Sequence, residues 1–201
     1  MTYYEHQSFR LATSQVLNIH QPDMTIDPDR YFRFVNELPD FRKNYLRHQT
    51  AEPAACRAQL ERFNGGERWA LMGEMDGEIV ASGTLERQPF EWTHHVAEMR
   101  CTVAPTSTHL GIGRIMMHQL VVLAARLGIE KLYVEVQREH RGAQQKLRAE
   151  GFAPEAVRPQ YVRDVSGKLH DVLIMSMDMN NIWQDYEDMV HELDFHYSSG
   201  M

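Results

Sequence analysis

The sequence predicts a mixed α/β fold (α+β), with an antiparallel meander first, a central parallel crossover and a hairpin at the end. Three patterns support this class. Strand-like stretches flank the dipeptide Asp76-Gly77, a helix-like stretch separates two further strands, and Ser166-Gly167 lies between the last two strands. With 201 residues, 43% of them hydrophobic and 24% charged, the chain is long enough to bury its own core.

The first half of the chain is predicted to contain helices followed by the meander. Asp27 or Asp29 can cap a first helix, and Pro53 precedes a second one. Asp76-Gly77 is a strong signal for a two-residue hairpin turn, and Pro105 stops the last strand of the meander. The second helix is predicted at 54–63 and the three strands at 69–75, 78–84 and 95–103.

The second half of the chain is predicted to contain the crossover and the terminal hairpin. Met116, Leu120, Leu123 and Leu127 form one apolar stripe of a helix, and Gly128 follows as a C′ residue. A strand, a helix and another strand in this order imply a parallel pair of strands. The predicted elements are helices at 111–127 and 140–150, and strands at 131–136, 160–164 and 170–177.

The expected organisation is one domain, residues 1–179, followed by an acidic tail, residues 180–201. Six acids and no Lys or Arg lie between 178 and 201. Apolar residues recur at helical spacing from 180 to 197, so this segment is predicted to be a solvated helix. It would pack one face on the domain or on a second subunit, which is compatible with a homodimer.

Charge, hydropathy and cysteine content exclude several classes of protein. The net charge is −7, which argues against a nucleic-acid partner, although residues 98–170 carry 11 basic and 7 acidic residues and suit a compact anionic ligand. No apolar run approaches the ~18 residues needed to span a bilayer, and the first residues lack the apolar core of a signal peptide. We therefore expect no membrane partner and a cytoplasmic location. Cys56 and Cys101 form no CxxC motif, and a reducing compartment fits best.

The most informative segment is Cys101–Arg114, with the sequence CTVAPTSTHLGIGR. It contains a strand, a proline stop, a loop and the pattern Gly111-x-Gly113 at the start of a helix. N–H groups and the positive end of the helix dipole attract phosphate there, although the same pattern also occurs as a simple tight turn. A Walker A loop is excluded because no GKS or GKT follows, and a Rossmann loop because Met116 replaces the third glycine.

Three spacings together resemble the GNAT superfamily of acyl-CoA-dependent N-acetyltransferases. The triplet Val103-Ala104-Pro105 precedes Gly111 as in the family's motif A. Ala143 precedes Gly151-Phe152 by eight residues, as in motif B. The segment 170–176, HDVLIMS, resembles the family's closing strand. The resemblance covers about residues 97–177 and implies a GNAT-like fold, in which two parallel strands splay apart to admit the cofactor.

The resemblance implies acetyl-CoA as co-substrate and assigns residues to it. Backbone N–H groups from 109 to 114 would hold the pyrophosphate, and residues 101–103 would pair with the pantetheine arm as an added strand. His140 replaces the motif B asparagine and could contact CoA or cap its helix. The implied cofactor-binding residues are Cys101, Thr102, Val103, His109, Leu110, Gly111, Ile112, Gly113, Arg114 and His140.

Glu98 is the expected general base. It lies thirteen residues before Gly111, a spacing that resembles the catalytic glutamate of protein-lysine acetyltransferase members. An ammonium group with a pKa near ~10.4 cannot attack a thioester until it loses a proton, so a carboxylate near the site is needed to accept that proton. The alternative is a glutamate on a solvated face of the strand.

Three departures from the family pattern concern the phosphate loop and the leaving group. Thr108 replaces a Gln or Arg, and His109 replaces a glycine. Leu147 stands where many members carry the tyrosine that protonates the leaving thiolate. Either Tyr133 or Tyr161 would take over that role, or the thiolate leaves unaided.

The expected acceptor is a primary amine. Residues 29–34, DRYFRF, resemble a segment of protein-lysine acetyltransferase members and favour a protein lysine. A small amino compound or a polyamine is the alternative, and a non-catalytic CoA-binding or interaction module is a second one. No metal is expected, because the only adjacent histidines, His94 and His95, would point to opposite faces of a strand.

Overall fold

The computed structural model describes residues 3–22, 28–39, 52–63, 66–164 and 166–180. Its strands are β1 (Gln7–Arg10), β2 (Val16–His20), β3 (Arg68–Met75), β4 (Glu78–Arg87), β5 (Val96–Val103), β6 (Lys131–Gln137), β7 (Ala153–Arg163) and β8 (Leu169–Asp178). Its helices are α1 (Pro28–Glu37), α2 (Pro53–Arg62), α3 (Ile112–Arg126) and α4 (Arg141–Ala149), with 3-10 turns at Glu91–Thr93 and Pro105–Ser107. The strands form one sheet in the order β1-β2-β3-β4-β5-β6-β8-β7.

The predicted fold class is confirmed. Strands β3, β4 and β5 pair antiparallel as the meander, β5 and β6 pair parallel across the α3 crossover, and β7 pairs antiparallel with β8 as the terminal hairpin. The proline at the start of α2 agrees with the preference for proline in a first helical turn, where an N–H group has no helical partner. Local turn and helix signals therefore predicted the pairing of these strands correctly.

Two parts of the sheet differ from the prediction. Strands β1 and β2 were not expected, and β7 begins at Ala153 instead of residue 160. Strand β7 is an edge strand that is exposed over most of its length, contains Pro159 and shifts register twice against β8. Because neither face of such a strand is buried, it lacks the alternation of apolar residues by which strands are recognised.

Helices cover the two faces of the sheet and create two clusters of buried side chains. On one face, α3 places Met116, Leu120 and Leu123 in the larger cluster. Gly83 of β4 allows the close approach of this helix, because a Cβ atom there would lie 2.6 Å from Cδ1 of Leu120. On the other face, α1 and α2 bury a smaller cluster, including Tyr31, against β3 and β4.

The parallel strands β5 and β6 separate partway along their length. They pair only from Val96–Lys131 to Glu98–Tyr133, although β5 continues to Val103 and β6 to Gln137. The opposite edges stay paired, since β5 remains hydrogen-bonded to β4 and β6 to β8. The sheet is thus opened into a wedge between two strands that are each anchored on their far side.

The predicted tail helix and the domain boundary at 179/180 lie at the end of the described residues. Residues 181–201 are outside them, so the helix and the boundary stay predictions. Among the helices of the described residues, none has both the length and the apolar composition required to cross a membrane.

Candidate functional site

The wedge between β5 and β6 contains a cleft of about 540 Å³, which is within the size range of small-molecule sites. Five consecutive residues of β5, Met99–Val103, line this cleft. Successive side chains of a strand point to opposite faces, so a run of five places the strand's edge along the cleft. Because β5 has left β6 at this point, an extended ligand can lie there as an added strand.

The start of α3 lies at the mouth of the cleft. Gly111 is the N-cap residue with φ of 77°, a left-handed conformation that glycine adopts without strain. Gly113 follows in the first turn, where a Cβ atom would come 3.5 Å from Cγ2 of Val103. The first N–H groups of a helix have no helical partners, so this end of α3 provides donors and a positive dipole at the cleft.

The structure separates the predicted phosphate-binding residues into two groups. Gly111, Gly113 and Arg114 line the cleft, whereas His109 and Leu110 are not among its lining residues. Ile112 is fully buried and packs in the core, so its side chain faces away from any ligand. Leu110 and Ile112 have apolar side chains, so only their backbone N–H groups could serve an anion, as the resemblance implied, whereas the His109 side chain is exposed.

Several ionisable side chains surround the mouth of the cleft. Arg114 is 79% exposed, and its Nε lies 3.0 Å from Oε1 of Glu150, at the end of α4. His140 and Lys146 also line the cleft. His140 is the N-cap residue of α4, but its side chain makes no capping hydrogen bond. Helix capping by its side chain, one alternative for this residue, therefore does not occur.

Glu98 lies on the polar face of β5 and is only 2% exposed, so the alternative of a solvated glutamate is wrong. Arg100 holds it from one side, with Nε donating to Oε1 at 2.9 Å and Nη2 in contact with Oε2. The Tyr133 hydroxyl donates to Oε2 at 3.3 Å. Arg100 also lies 3.5 Å from Glu86 of β4. Both oxygens of Glu98 thus have donors, and Arg100, not Glu98, reaches the cleft.

Glu135 is a carboxylate in the cleft that the sequence analysis did not single out. It follows Tyr133 by two residues on β6, immediately beyond the point where the strands separate. Its side chain is 12% exposed, and Nη1 of Arg158 donates to its Oε1 at 2.6 Å. The signal was available in principle, because a glutamate between Val134 and Val136 marks the polar face of that strand.

The remaining candidates occupy distinct positions. Burial raises the pKa of the Cys101 thiol to about 12, so this residue is neutral at pH 7 and unsuited to nucleophilic attack. Leu147 is buried and lines the cleft. Tyr161 is half exposed on β7, with the guanidinium of Arg158 over its ring at 4.8 Å. Among the described residues, no three His, Cys, Asp or Glu side chains are grouped to hold a metal ion.

Solved structures share this fold at low sequence identity. A ribosomal-protein-alanine N-acetyltransferase from Brucella melitensis has a TM-score of 0.69 and 19% identity, covering 80% of this chain and 98% of that one. A spermidine N-acetyltransferase chimera from Vibrio cholerae has a TM-score of 0.68 and 17% identity, covering 82% and 96%. A putative acetyltransferase from Salmonella typhimurium, solved with its cofactor acetyl-CoA, has a TM-score of 0.67 and 18% identity, covering 81% of this chain and 94% of that one.

Sequence comparison agrees with the structural likeness. No curated protein matches the chain. The profile of the acetyltransferase (GNAT) family matches residues 30–152, more than half of the chain, and includes α1, β5, the start of α3 and β6. With the wedge between β5 and β6 and the helix start at its mouth, this match shows that the chain belongs to the GNAT family of acetyltransferases.

Proposed function

We propose that the cleft binds acetyl-CoA and that the chain transfers the acetyl group directly to a primary amine. The observation that carries this proposal is the open wedge between β5 and β6 with the start of α3 at its mouth. Residues and ligand fit each other: helix N–H groups suit a diphosphate, and a strand edge suits the two amides of a pantetheine arm.

In this arrangement the cofactor runs from the mouth of the cleft towards its closed end. From Val103 to Met99 the strand advances about 13 Å, at ~3.3 Å per residue, and ends where β5 and β6 pair again. Backbone N–H groups along this edge would orient the thioester, and one of them would stabilise the negative charge that develops on its carbonyl oxygen.

The proton of the acceptor ammonium requires a carboxylate within reach. Glu98 is the residue predicted from the sequence, whereas Glu135 lines the cleft on β6, and Glu150, which is paired with Arg114, lines it at the end of α4. Geometry favours Glu135, because it lines the cleft, whereas Glu98 does not and has donors on both oxygens. Glu135 is itself paired with Arg158, whose Nη1 donates to Oε1. In this reading Glu98 holds the Arg100 guanidinium at the cleft and acts as a positioning residue.

The leaving thiolate needs no tyrosine at the position of Leu147. A thiol with a pKa near ~8.5 is a good leaving group, and we propose that it departs unaided. Of the two alternatives, Tyr133 accepts a hydrogen bond from Gln88 while it donates to Glu98, and Tyr161 lies beside Arg158. A Tyr161→Phe variant that lost most of its activity would favour Tyr161 as the acid.

For the acceptor, we propose an amine that is cationic before reaction, and a protein lysine in particular. The excess of acidic residues over basic ones supports cationic acceptors, since it lowers the free energy of their approach. A small amino compound or polyamine is the alternative. Cytoplasmic location and a homodimer are further proposals that rest on the sequence alone.

The test is release of CoA thiol from acetyl-CoA in the presence of a lysine peptide, a peptide with an N-terminal alanine, and spermidine. Product formation with any of them, detected by mass spectrometry, supports acetyl transfer. Calorimetry with acetyl-CoA provides the control. Heat of binding without turnover on a broad amine panel would favour the binding-module alternative, and no heat at all would contradict the proposed cleft occupant.

A further inference from the structure

The closed end of the cleft has one apolar wall and one polar wall. On β5, Met99 and Cys101 pack on the side of α3, whereas Arg100 and Thr102 face α1 and α2. Glu135 continues the polar wall on β6. A thioester between these walls would therefore direct its acyl chain to one side and receive the amine from the other.

Three further side chains complete the apolar wall. Met117 projects from α3 and is 8% exposed, Val134 lies on β6, and Leu147 projects from α4 and is 5% exposed. Met99 and Val134 line the cleft and directly follow the paired segments of β5 and β6, so they lie at the end where the two strands meet. They mark the end at which a chain entering from the mouth must stop.

The spacing on α3 supports this depth. Gly113 and Met117 are four residues apart, so they lie on the same side of the helix, and both line the cleft. Four residues correspond to about 6 Å along a helix axis. Since α3 starts at the mouth and returns along β5, Met117 lies deeper in the wedge than the glycine that would contact the diphosphate.

We propose that Met99, Met117, Val134 and Leu147 form an acyl pocket that accepts propionyl and butyryl groups as well as acetyl. The proposal rests on the proposed binding of acyl-CoA in the wedge. Methionine side chains are unbranched and can adopt several shapes, so a wall with two of them adapts to added methylene groups. In a rigid apolar pocket, one methylene changes kcat/KM by roughly 10- to 200-fold.

The reaction is the same for each acyl group. The amine nitrogen attacks the thioester carbonyl carbon, a C–N bond forms and the C–S bond breaks. The proton lost by nitrogen goes to a cleft carboxylate and then to solvent, while CoA leaves as a thiolate that takes a proton from water. No oxidant or further co-reactant is required.

Neighbouring methionines on α3 provide a matched pair for the experiment. Met117 lines the cleft, whereas Met116 is fully buried and is not among the lining residues. The Met116 sulfur lies 3.3 Å from the position a Cβ atom would take on Gly73, so it packs against β3. A truncation of either residue removes a similar volume from the same helix, but only one removal enlarges the pocket.

The experiment measures kcat/KM for acetyl-, propionyl-, butyryl- and hexanoyl-CoA with one acceptor. For the wild type we expect propionyl transfer within about fivefold of acetyl transfer, less than a rigid pocket would impose. Met117→Ala should raise the ratio of hexanoyl to acetyl transfer by about tenfold or more, and Met117→Phe should lower the ratio of propionyl to acetyl transfer. Met116→Ala should leave all the ratios unchanged even if it lowers Tm.

Two results would overturn the acyl pocket while the proposed function stands. One is efficient acetyl transfer with a kcat/KM for propionyl-CoA that is lower by about tenfold or more, the discrimination of a rigid pocket. The other is a Met117→Ala protein that is folded and active but has the wild-type ratios. Should the alanine variant not fold, Met117→Val serves in its place. Absence of turnover and of binding for every acyl-CoA would instead contradict the proposed function itself.

Discussion

The two faces of β5 differ in the way they are stabilised. Towards α1 and α2 the strand presents Glu98, Arg100 and Thr102, and the first two form an ion pair to which Glu86 and the Tyr133 hydroxyl are joined. Towards α3 it presents Met99 and Cys101, which pack in the main apolar cluster. On the polar face the charged groups depend on specific partners, whereas on the apolar face stability comes from area removed from water.

This difference matters because β6 departs from β5 in the middle of both faces. If the two strands stayed paired, the sheet would separate its polar face from its apolar face, and one ligand could not contact both. After Glu98 and Tyr133 the wedge lets one ligand touch both faces, since Arg100 and Met99 line the same cleft. One strand can therefore supply an apolar wall for the donor chain and a polar wall for the acceptor.

The largest expected effect is on activity, and it distinguishes the roles of Glu135 and Glu98, the two carboxylates of the polar side. Glu135→Gln should lower kcat/KM at pH 7 by roughly 10²- to 10⁴-fold, the usual contribution of a general base, with partial recovery at higher pH as more acceptor is deprotonated. Glu98→Gln, the matched variant, should reduce the rate less. Steady-state kinetics from pH 6 to 9.5 measure both. A larger loss for Glu98→Gln with Glu135→Gln near wild type would restore Glu98 as the base.

The next effect concerns the stability of the polar face. Arg100→Met leaves the buried carboxylate of Glu98 without its main cation, and we expect a loss of about 3–5 kcal/mol in the free energy of unfolding. The double variant Glu98→Gln/Arg100→Met should recover a substantial part of that loss. Urea unfolding measures the cycle. A double variant whose loss equals the sum of the losses of Glu98→Gln and Arg100→Met would show that the pair is not coupled.

On the apolar face the corresponding test adds volume. Gly83→Ala would bring a methyl group against Leu120, and overpacking of this kind costs about 1–3 kcal/mol. Combined with Leu120→Ala, the cost should fall below the sum of the two single losses, because the truncated side chain leaves room. Additive losses in urea unfolding would mean that the clash is relieved elsewhere.

The smallest effect is the pH dependence of Cys101. Burial raises its pKa to about 12 in the folded chain, above the ordinary thiol value. Because the unfolded chain ionises this thiol first, the free energy of unfolding falls as the pH rises from the ordinary thiol pKa towards 12. We expect slow alkylation by iodoacetamide at pH 8, slower than in the denatured chain and increasing with pH. Peptide mass spectrometry measures the rate at each cysteine, and rapid labelling of native Cys101 at pH 8 would contradict this assignment.

Local patterns predicted those parts of the fold that neighbouring residues control. The Asp76-Gly77 turn, the apolar stripe from Met116 to Leu123 and the glycines at the start of α3 each act within a few residues, and the structure agrees with them. The first part of strand β7, residues 153–159, was not predicted because an exposed edge carries no apolar alternation. The sequence places Glu135 on the polar face of its strand, but its position beside the cleft depends on where β6 separates from β5, which the sequence does not show.

By itself the sequence determined the meander, the parallel crossover, the terminal hairpin and the glycine-containing helix start, since these follow from turn residues, side-chain periodicity and chain connectivity. Only the tertiary structure decided which carboxylate borders the cleft, that Glu98 is buried against Arg100, and that Met117 and not Met116 lines the cleft. The physical reason is that burial and ion pairing join residues distant in the chain, and the separation of β5 from β6 involves neighbours on both sides of the sheet.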